Sequence, residues 1–268
     1  IPCAHMTRFE TQFQQISAVV DRRVCAGQAF WPLVDCPRKV WWMESLGVAF
    51  GLVVRFDAGL WAVIGLSLRV SLTAVLVATL IGAPLGAVLA TRQFRGRQVL
   101  VVLSGAFMAL PPVVVGLAVY LLLSRAGPLG PLGLLFTPGA MIIAQTVLIL
   151  PIITALTLQA VAPVYRDYKG LFAAHDVAPL AALRIALWDA RFGVATGILA
   201  GFGRAISEVG AVQIVGGNID GVTRVMTTTI ALETSKGNLE FALALGLVLI
   251  VLALFVKLAI LGLGRFGR

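Results

Sequence analysis

The residues best placed to do chemistry lie in one glycine-rich run, GFGRAISEVGAVQIVGGN, over residues 201–218. Arg204 and Glu208 stand four apart, the spacing that puts two side chains on one face of a helix. In an apolar segment either charge alone is costly, and together they neutralise each other. Two readings stay open. The pair holds helices together, or it belongs to a polar path or gate between transport domains. Ser207, Gln213 and Asn218 extend the polar stripe, and Gly201, Gly203, Gly210, Gly216 and Gly217 permit close helix approach or local unwinding. On the gate reading, Arg204, Ser207, Glu208, Gly216, Gly217 and Asn218 line the pathway.

A second candidate is KGLFAAHDVAPLAALRIALWDARFG, over residues 169–193. Leu171, Ala174, Val177, Leu183, Ile185 and Leu187 recur at helical spacing on either side of Pro179. An amphipathic helix pair on the membrane surface would offer a face to a partner protein; a plain connection between spans is the alternative. A third feature is TRVMTTTIALETSK, over 223–236, too polar for a span. It reads either as a solvated loop or as a helix dipping into the membrane. No enzyme is expected. The sequence has no glycine-rich phosphate loop, and His175, the one histidine after Met43, has no nucleophile or carboxylate set around it.

The elements that position these residues follow from composition. Of 268 residues, 59% are apolar and 12% charged, with a mean hydropathy of +0.98; ordinary soluble domains carry about 25% charged residues. A soluble enzyme, a disordered tail and a secreted disulfide scaffold are excluded. At roughly 20 apolar residues per crossing, the chain holds about five or six membrane spans. The formal charge of +9 reflects basic cytoplasmic loops. It does not indicate nucleic acid, because no Lys/Arg-rich run with interleaved aromatics occurs.

Five spans are expected, at about 60–91, 99–124, 140–164, 192–219 and 241–263. Pro111-Pro112 would kink or break the second, Pro151 lies in the third, and residues 126–139 form a Gly/Pro-rich loop. Arg92, Arg95 and Arg97, then Arg166, Lys169, Arg184 and Arg191, then Arg265 and Arg268 all fall on one side, the cytoplasm. The native chain therefore starts outside and ends inside. Residues 46–54 are apolar but too short to span, and read as an interfacial helix. Residues 1–42 do not match the rest. They hold all three cysteines, three of the five tryptophans and five basic residues on the wrong side, with no metal-ligand spacing and no signal-peptide order. They are read as a non-native or disordered extension, with the native start at Met43.

Three segments carry a resemblance: SLRVSLTAVLVATLIGAPLGAVLA (67–90), GFGRAISEVGAVQIVGGN (201–218) and TRVMTTTIALETSKG (223–237). Over residues 43–268 the chain resembles the membrane permease subunit of tungstate-type ABC importers, within the molybdate, tungstate and sulfate group of binding-protein-dependent systems. The resemblance implies an all-α polytopic fold, a five-span type I importer core preceded by an interfacial helix, in the plasma (inner) membrane. It implies a homodimer enclosing a pathway, a cytoplasmic ABC ATPase that holds the ATP and magnesium, and an extracytoplasmic oxyanion-binding protein. No cofactor is expected on this chain. Transport would follow alternating access, with oxyanion choice made mainly by the binding protein; Arg204 would offset the dianion's charge while Glu208 keeps it from being held tightly. A loop of about 165–191 would dock on the ATPase, with a coupling helix over Ala173, Ala174, His175, Asp176, Val177, Ala178, Pro179 and Leu180. The family's Glu-Ala-Ala…Gly motif is absent: its glycine falls on His175 and its Glu-Ala-Ala on Lys169, Gly170 and Leu171. Molybdate or sulfate on the same fold is one alternative, and a non-transporting membrane scaffold is another.

Overall fold

A computed structural model describes residue 51 and residues 58–266, all within the second of the two units into which the chain divides, Glu44–Arg268. The extension over 1–42 lies outside the described residues. So does the interfacial helix over 46–54, apart from Gly51, which is helical. The described residues are helical, with no strand among them: α1 (Ala58–Thr91), α2 (Arg97–Met108), α3 (Pro112–Leu123), a 3₁₀ turn (Gly130–Leu132), α4 (Pro138–Ala174), α5 (Pro179–Asp189), α6 (Arg191–Ile206), α7 (Gly210–Gly216), α8 (Met226–Lys236) and α9 (Leu239–Phe266).

Three of these helices, α1, α4 and α9, are long and apolar enough to cross a membrane unaided. At 1.5 Å per residue, α1 and α4 run about 50 and 55 Å and overshoot a hydrocarbon core of about 30 Å. The fold starts α4 by local means: Pro138 takes the first helical position, and the Thr137 hydroxyl accepts the Ala140 N–H at 3.5 Å. Arg97 folds back so that its Nε donates to the Leu89 carbonyl at 2.8 Å, satisfying one of α1's last acceptors.

Two of the expected spans are not single rods. Pro111 and Pro112 break the second, leaving two twelve-residue arms, α2 and α3, bent by 105°. The fourth, expected over about 192–219, has its long helix end at Ile206; its apolar partner is α5, joined to α6 at Ala190 with a 69° bend. Counting each bent pair as one crossing gives five.

The core is built by small residues. Helices α1 and α4 make the most extensive contact, closed by Gly82 and Gly86. A Cβ at Gly86 would press on the Thr154 carbonyl and lie 2.8 Å from the Thr157 Cβ. Helix α6 seats on α4 through Gly193, Gly197 and Gly201, one per turn. Added Cβ atoms there would fall 2.7 Å from Ala160, 3.0 Å from Leu156 and 2.8 Å from Ile149. Small residues four apart let apolar helices approach closely where no hydrophobic drive exists between them.

Candidate functional site

Glu208 sits where α6 has ended and α7 has not begun. The Ser207 hydroxyl donates back to the Gly203 and Arg204 carbonyls at 3.0 and 3.1 Å, competing with continuation of the helix. Beyond it, Glu208 turns its carboxylate onto the next helix: Oε1 accepts the Ala211 N–H at 3.2 Å, and Oε2 lies 3.3 Å from Arg204 Nη2. A carboxylate at a helix N-terminus takes up an orphan N–H and meets the positive end of the dipole. Glu208 is 4% exposed, whereas Arg204 is 39% exposed. The ion pair is therefore formed across a helix break and not along one helix face, which corrects the continuous stripe expected from spacing. Ser207 and Gln213 are exposed and lie outside it.

Other elements converge on this break. The Thr227 hydroxyl of α8 donates to the Glu208 carbonyl at 2.8 Å. The Met226 N–H donates to Ser67 Oγ of α1 at 2.7 Å, and Ser67 donates in turn to the Val63 carbonyl. From α4, Gln145 Nε2 donates to the Ala205 carbonyl at 3.2 Å, while its buried Oε1 has no partner. Ser67, Ser71, Gln145, Glu208 and Thr227 line a cavity of about 10 Å³, the size of one water. This is a node where α1, α4, the α6–α7 break and α8 meet. The sequence reading missed Ser67, Ser71, Gln145 and Thr227. The signals were present: a serine pair four apart and a glutamine inside apolar spans, where polar side chains demand partners. Of the 223–236 segment, Met226–Lys236 is a helix with Met226, Thr227, Thr228, Thr229 and Glu233 buried, so it is not a solvated loop.

Gly216, Gly217 and Asn218 do not join this node. They form the far end of α7, about 10 Å along the helix from its start. Gly216 packs on Met141 and Thr223, and the Thr223 hydroxyl donates to the Gly216 carbonyl at 2.6 Å. Gly217 closes the helix at φ +69°, where an L side chain is disfavoured and a Cβ would sit 2.8 Å from the Phe136 ring. The expected pathway set is thus split between two ends of one short helix.

The coupling segment is also recast. Ala173 and Ala174 end α4, His175 and Asp176 turn, Val177 and Ala178 lie between the helices, and Pro179 and Leu180 start α5. A helix across 173–180 is ruled out because the residue before a proline avoids the helical region; Ala178 has ψ 140°. The turn is held by the Val177 N–H on the Phe172 carbonyl at 3.0 Å, with Asp176 at φ +49°. Every residue of 173–180 is exposed except Val177, which is half-buried. The tip is braced where the Tyr168 hydroxyl donates to Asp189 Oδ2 at 3.2 Å; that bond to a carboxylate raises the phenol pKa. Among the described residues, no cluster of histidine, cysteine and carboxylates is arranged to hold a metal ion.

Residues 82–265, from the last ten residues of α1 into α9, match the model of the family described as the binding-protein-dependent transport system inner membrane component. The chain belongs to that family. Its relatives include a Haloferax volcanii protein named "Probable anion ABC transporter permease protein", 44% identical over 73% of this chain and 87% of that protein. The tungstate uptake system permease protein TupB of Peptoclostridium acidaminophilum is 38% identical over 81% of this chain and 95% of its own length. The molybdenum transport system permease protein ModB of Mycobacterium tuberculosis is 29% identical over 85% and 95%. The chain is therefore an all-α, multi-pass ABC permease of the inner membrane. Read as a permease, the projecting 173–180 tip and the buried node are two separate devices, one at a surface and one among the spans.

Proposed function

We propose that this permease passes an oxyanion, tungstate first, from an extracytoplasmic binding protein to the cytoplasm by alternating access. A separate ABC ATPase supplies the ATP hydrolysis. The observation that carries the substrate is the 38% identity extending over 95% of a tungstate uptake permease; the named molybdenum permease is more distant, at 29%. In this reading two copies enclose the pathway, with the chain's start outside and its end in the cytoplasm. The exposed apolar faces of α2 and α3, among them Val102, Phe107, Val114 and Leu121, suit a cover of lipid and a second copy. The 173–180 tip docks on the ATPase, and its displacement is delivered through the long helix α4 to the node at Gln145.

At the node, Glu208 and Arg204 form the gate. Arg204 is the half-exposed cation that offsets a passing dianion. The buried carboxylate of Glu208 competes for the guanidinium, so the anion is released and not trapped. A single co-expression experiment tests the substrate. The chain is produced with its ATPase and binding protein in cells lacking their own molybdate and tungstate uptake, and cellular metals are counted by mass spectrometry at nanomolar supply. Tungsten accumulation abolished by an ATPase-dead partner is expected. Equal molybdenum accumulation would remove the tungstate assignment, and uptake of neither metal would overturn the importer reading.

A further inference from the structure

The elbow between α5 and α6 carries a feature that substrate passage does not use. α5 turns 69° into α6 at Ala190, and residues on both sides of the bend, among them Arg184, Leu187, Trp188, Arg191, Val194 and Ile198, line a cleft of about 390 Å³. A second hollow of about 430 Å³ flanks it and shares Arg184 and Trp188. Arg184 and Arg191 are the cleft's cations, and beyond Arg191 the lining from α6 is apolar.

Neither cation is in an ion pair among the described residues, where the pairs are Arg204–Glu208, Arg224–Asp220 and Lys236–Glu233. Asp189, the acidic residue of the elbow, accepts from the Tyr168 hydroxyl. Arg191 is held in place: Nη1 donates to the Trp188 carbonyl at 3.0 Å, and its guanidinium lies 5.2 Å from the Trp188 ring centre and 4.6 Å from that of Phe192. One bond leaves most of its five N–H donors unused. Trp188 itself is 72% exposed, an amphipathic ring at the mouth of an apolar groove, as at a membrane–water boundary.

We propose that the elbow binds one anionic phospholipid of the cytoplasmic leaflet. Arg184 and Arg191 grip the phosphodiester, Trp188 lies at the headgroup level, and an acyl chain runs along Leu187, Val194 and Ile198. Planar guanidinium donors match a phosphate's oxygens two at a time, and basic pockets beside cytoplasmic helix ends recognise anionic headgroups. The bound lipid fixes the angle between α5 and α6. It thereby sets the stance of the α5 start, the surface offered to the ATPase. The leaflet rests on the orientation proposed above, whereas the binding itself is measured without transport.

The test is native mass spectrometry of the full chain in detergent, titrated with phosphatidylglycerol or with phosphatidylcholine. Phosphatidylglycerol is expected to be retained in preference to phosphatidylcholine. Arg184→Gln should weaken it about fivefold and Arg184→Gln/Arg191→Gln about thirtyfold, from roughly a factor of five per arginine near an anionic lipid. Arg184 makes none of the described hydrogen bonds, so its single variant tests binding without threatening the fold. Arg184→Lys/Arg191→Lys should keep most of the preference. Equal retention of both lipids, or no loss in the Arg184→Gln variant, would overturn the proposal. Displacement by glycerol 3-phosphate would assign the cleft to a free phosphate, and release of lipid on adding the ATPase subunit would assign it to that protein; either result overturns the lipid site.

Discussion

The α1–α4–α6 core and the node around Glu208 lie within the same bundle but are built on opposite principles. In the core, Gly82, Gly86, Gly193, Gly197 and Gly201 bring backbones together, and the stabilising contacts are dispersion between apolar atoms. At the node, helices stop and are joined by hydrogen bonds that Ser67 and Glu208 accept and that Gln145 and Thr227 donate. A close-packed glycine seam has one arrangement, because neither partner can move without opening a void. A junction of short polar bonds has alternatives, since each donor can exchange one acceptor for another or for water. The core therefore suits a rigid lever, and the node suits the place where the lever's motion is read.

That contrast is broken most severely by filling the seam. Gly86→Leu forces a side chain into the Thr154 carbonyl, at about 3 kcal/mol or more. The expected outcome is loss of the monodisperse peak in size-exclusion chromatography. Glu208→Ala comes next, because it strands the buried Ala211 N–H and leaves Arg204 without its partner. It should lower stability by about 2–3 kcal/mol, seen as a drop in the melting temperature of the detergent-purified chain. Ser67→Ala removes the acceptor of the Met226 N–H and separates α8 from α1 at about 1–2 kcal/mol; faster hydrogen exchange confined to α8 would report it.

The smallest expected effect lies outside both regions, at Glu233. Hydrogen bonds from Lys236 and then Asn238 hold its carboxyl below the ordinary carboxylate range. A depressed folded pKa means the contribution is complete at neutral pH and fades as pH falls through that lowered value. Glu233→Gln should therefore cost a few tenths of a kcal/mol at neutral pH, and its melting temperature should converge on the wild type's in acid.

Where the sequence could be read, and where it could not, follows the same divide. The charge-free stretches that became α1, α4 and α9 announce themselves, because burial in lipid leaves a run of hydropathy and little else. The Pro111-Pro112 break was legible from the missing N–H alone. The end of α6 was not, because hydropathy runs on through Ile206–Val215 while the break is made by a serine back-bond and a carboxylate cap. Pro179 carried the cue to the coupling tip: a proline at a first helical position starts a helix there and forbids one through it. Arg204 and Glu208 were found by spacing, yet the other residues of the node, on α1, α4 and α8, lie 60 or more residues away or across a loop, beyond any periodicity.

The most direct test of the node as a transport gate is tungsten uptake by Glu208→Gln in the complete complex. The amide oxygen still accepts the Ala211 N–H, so the helix junction is preserved and only the charge facing Arg204 is removed. Normal assembly and ATP hydrolysis are expected, with uptake reduced about tenfold, the effect of one lost charge-assisted hydrogen bond. Wild-type uptake by that variant would contradict the gate assignment and leave the Arg204–Glu208 pair as packing alone.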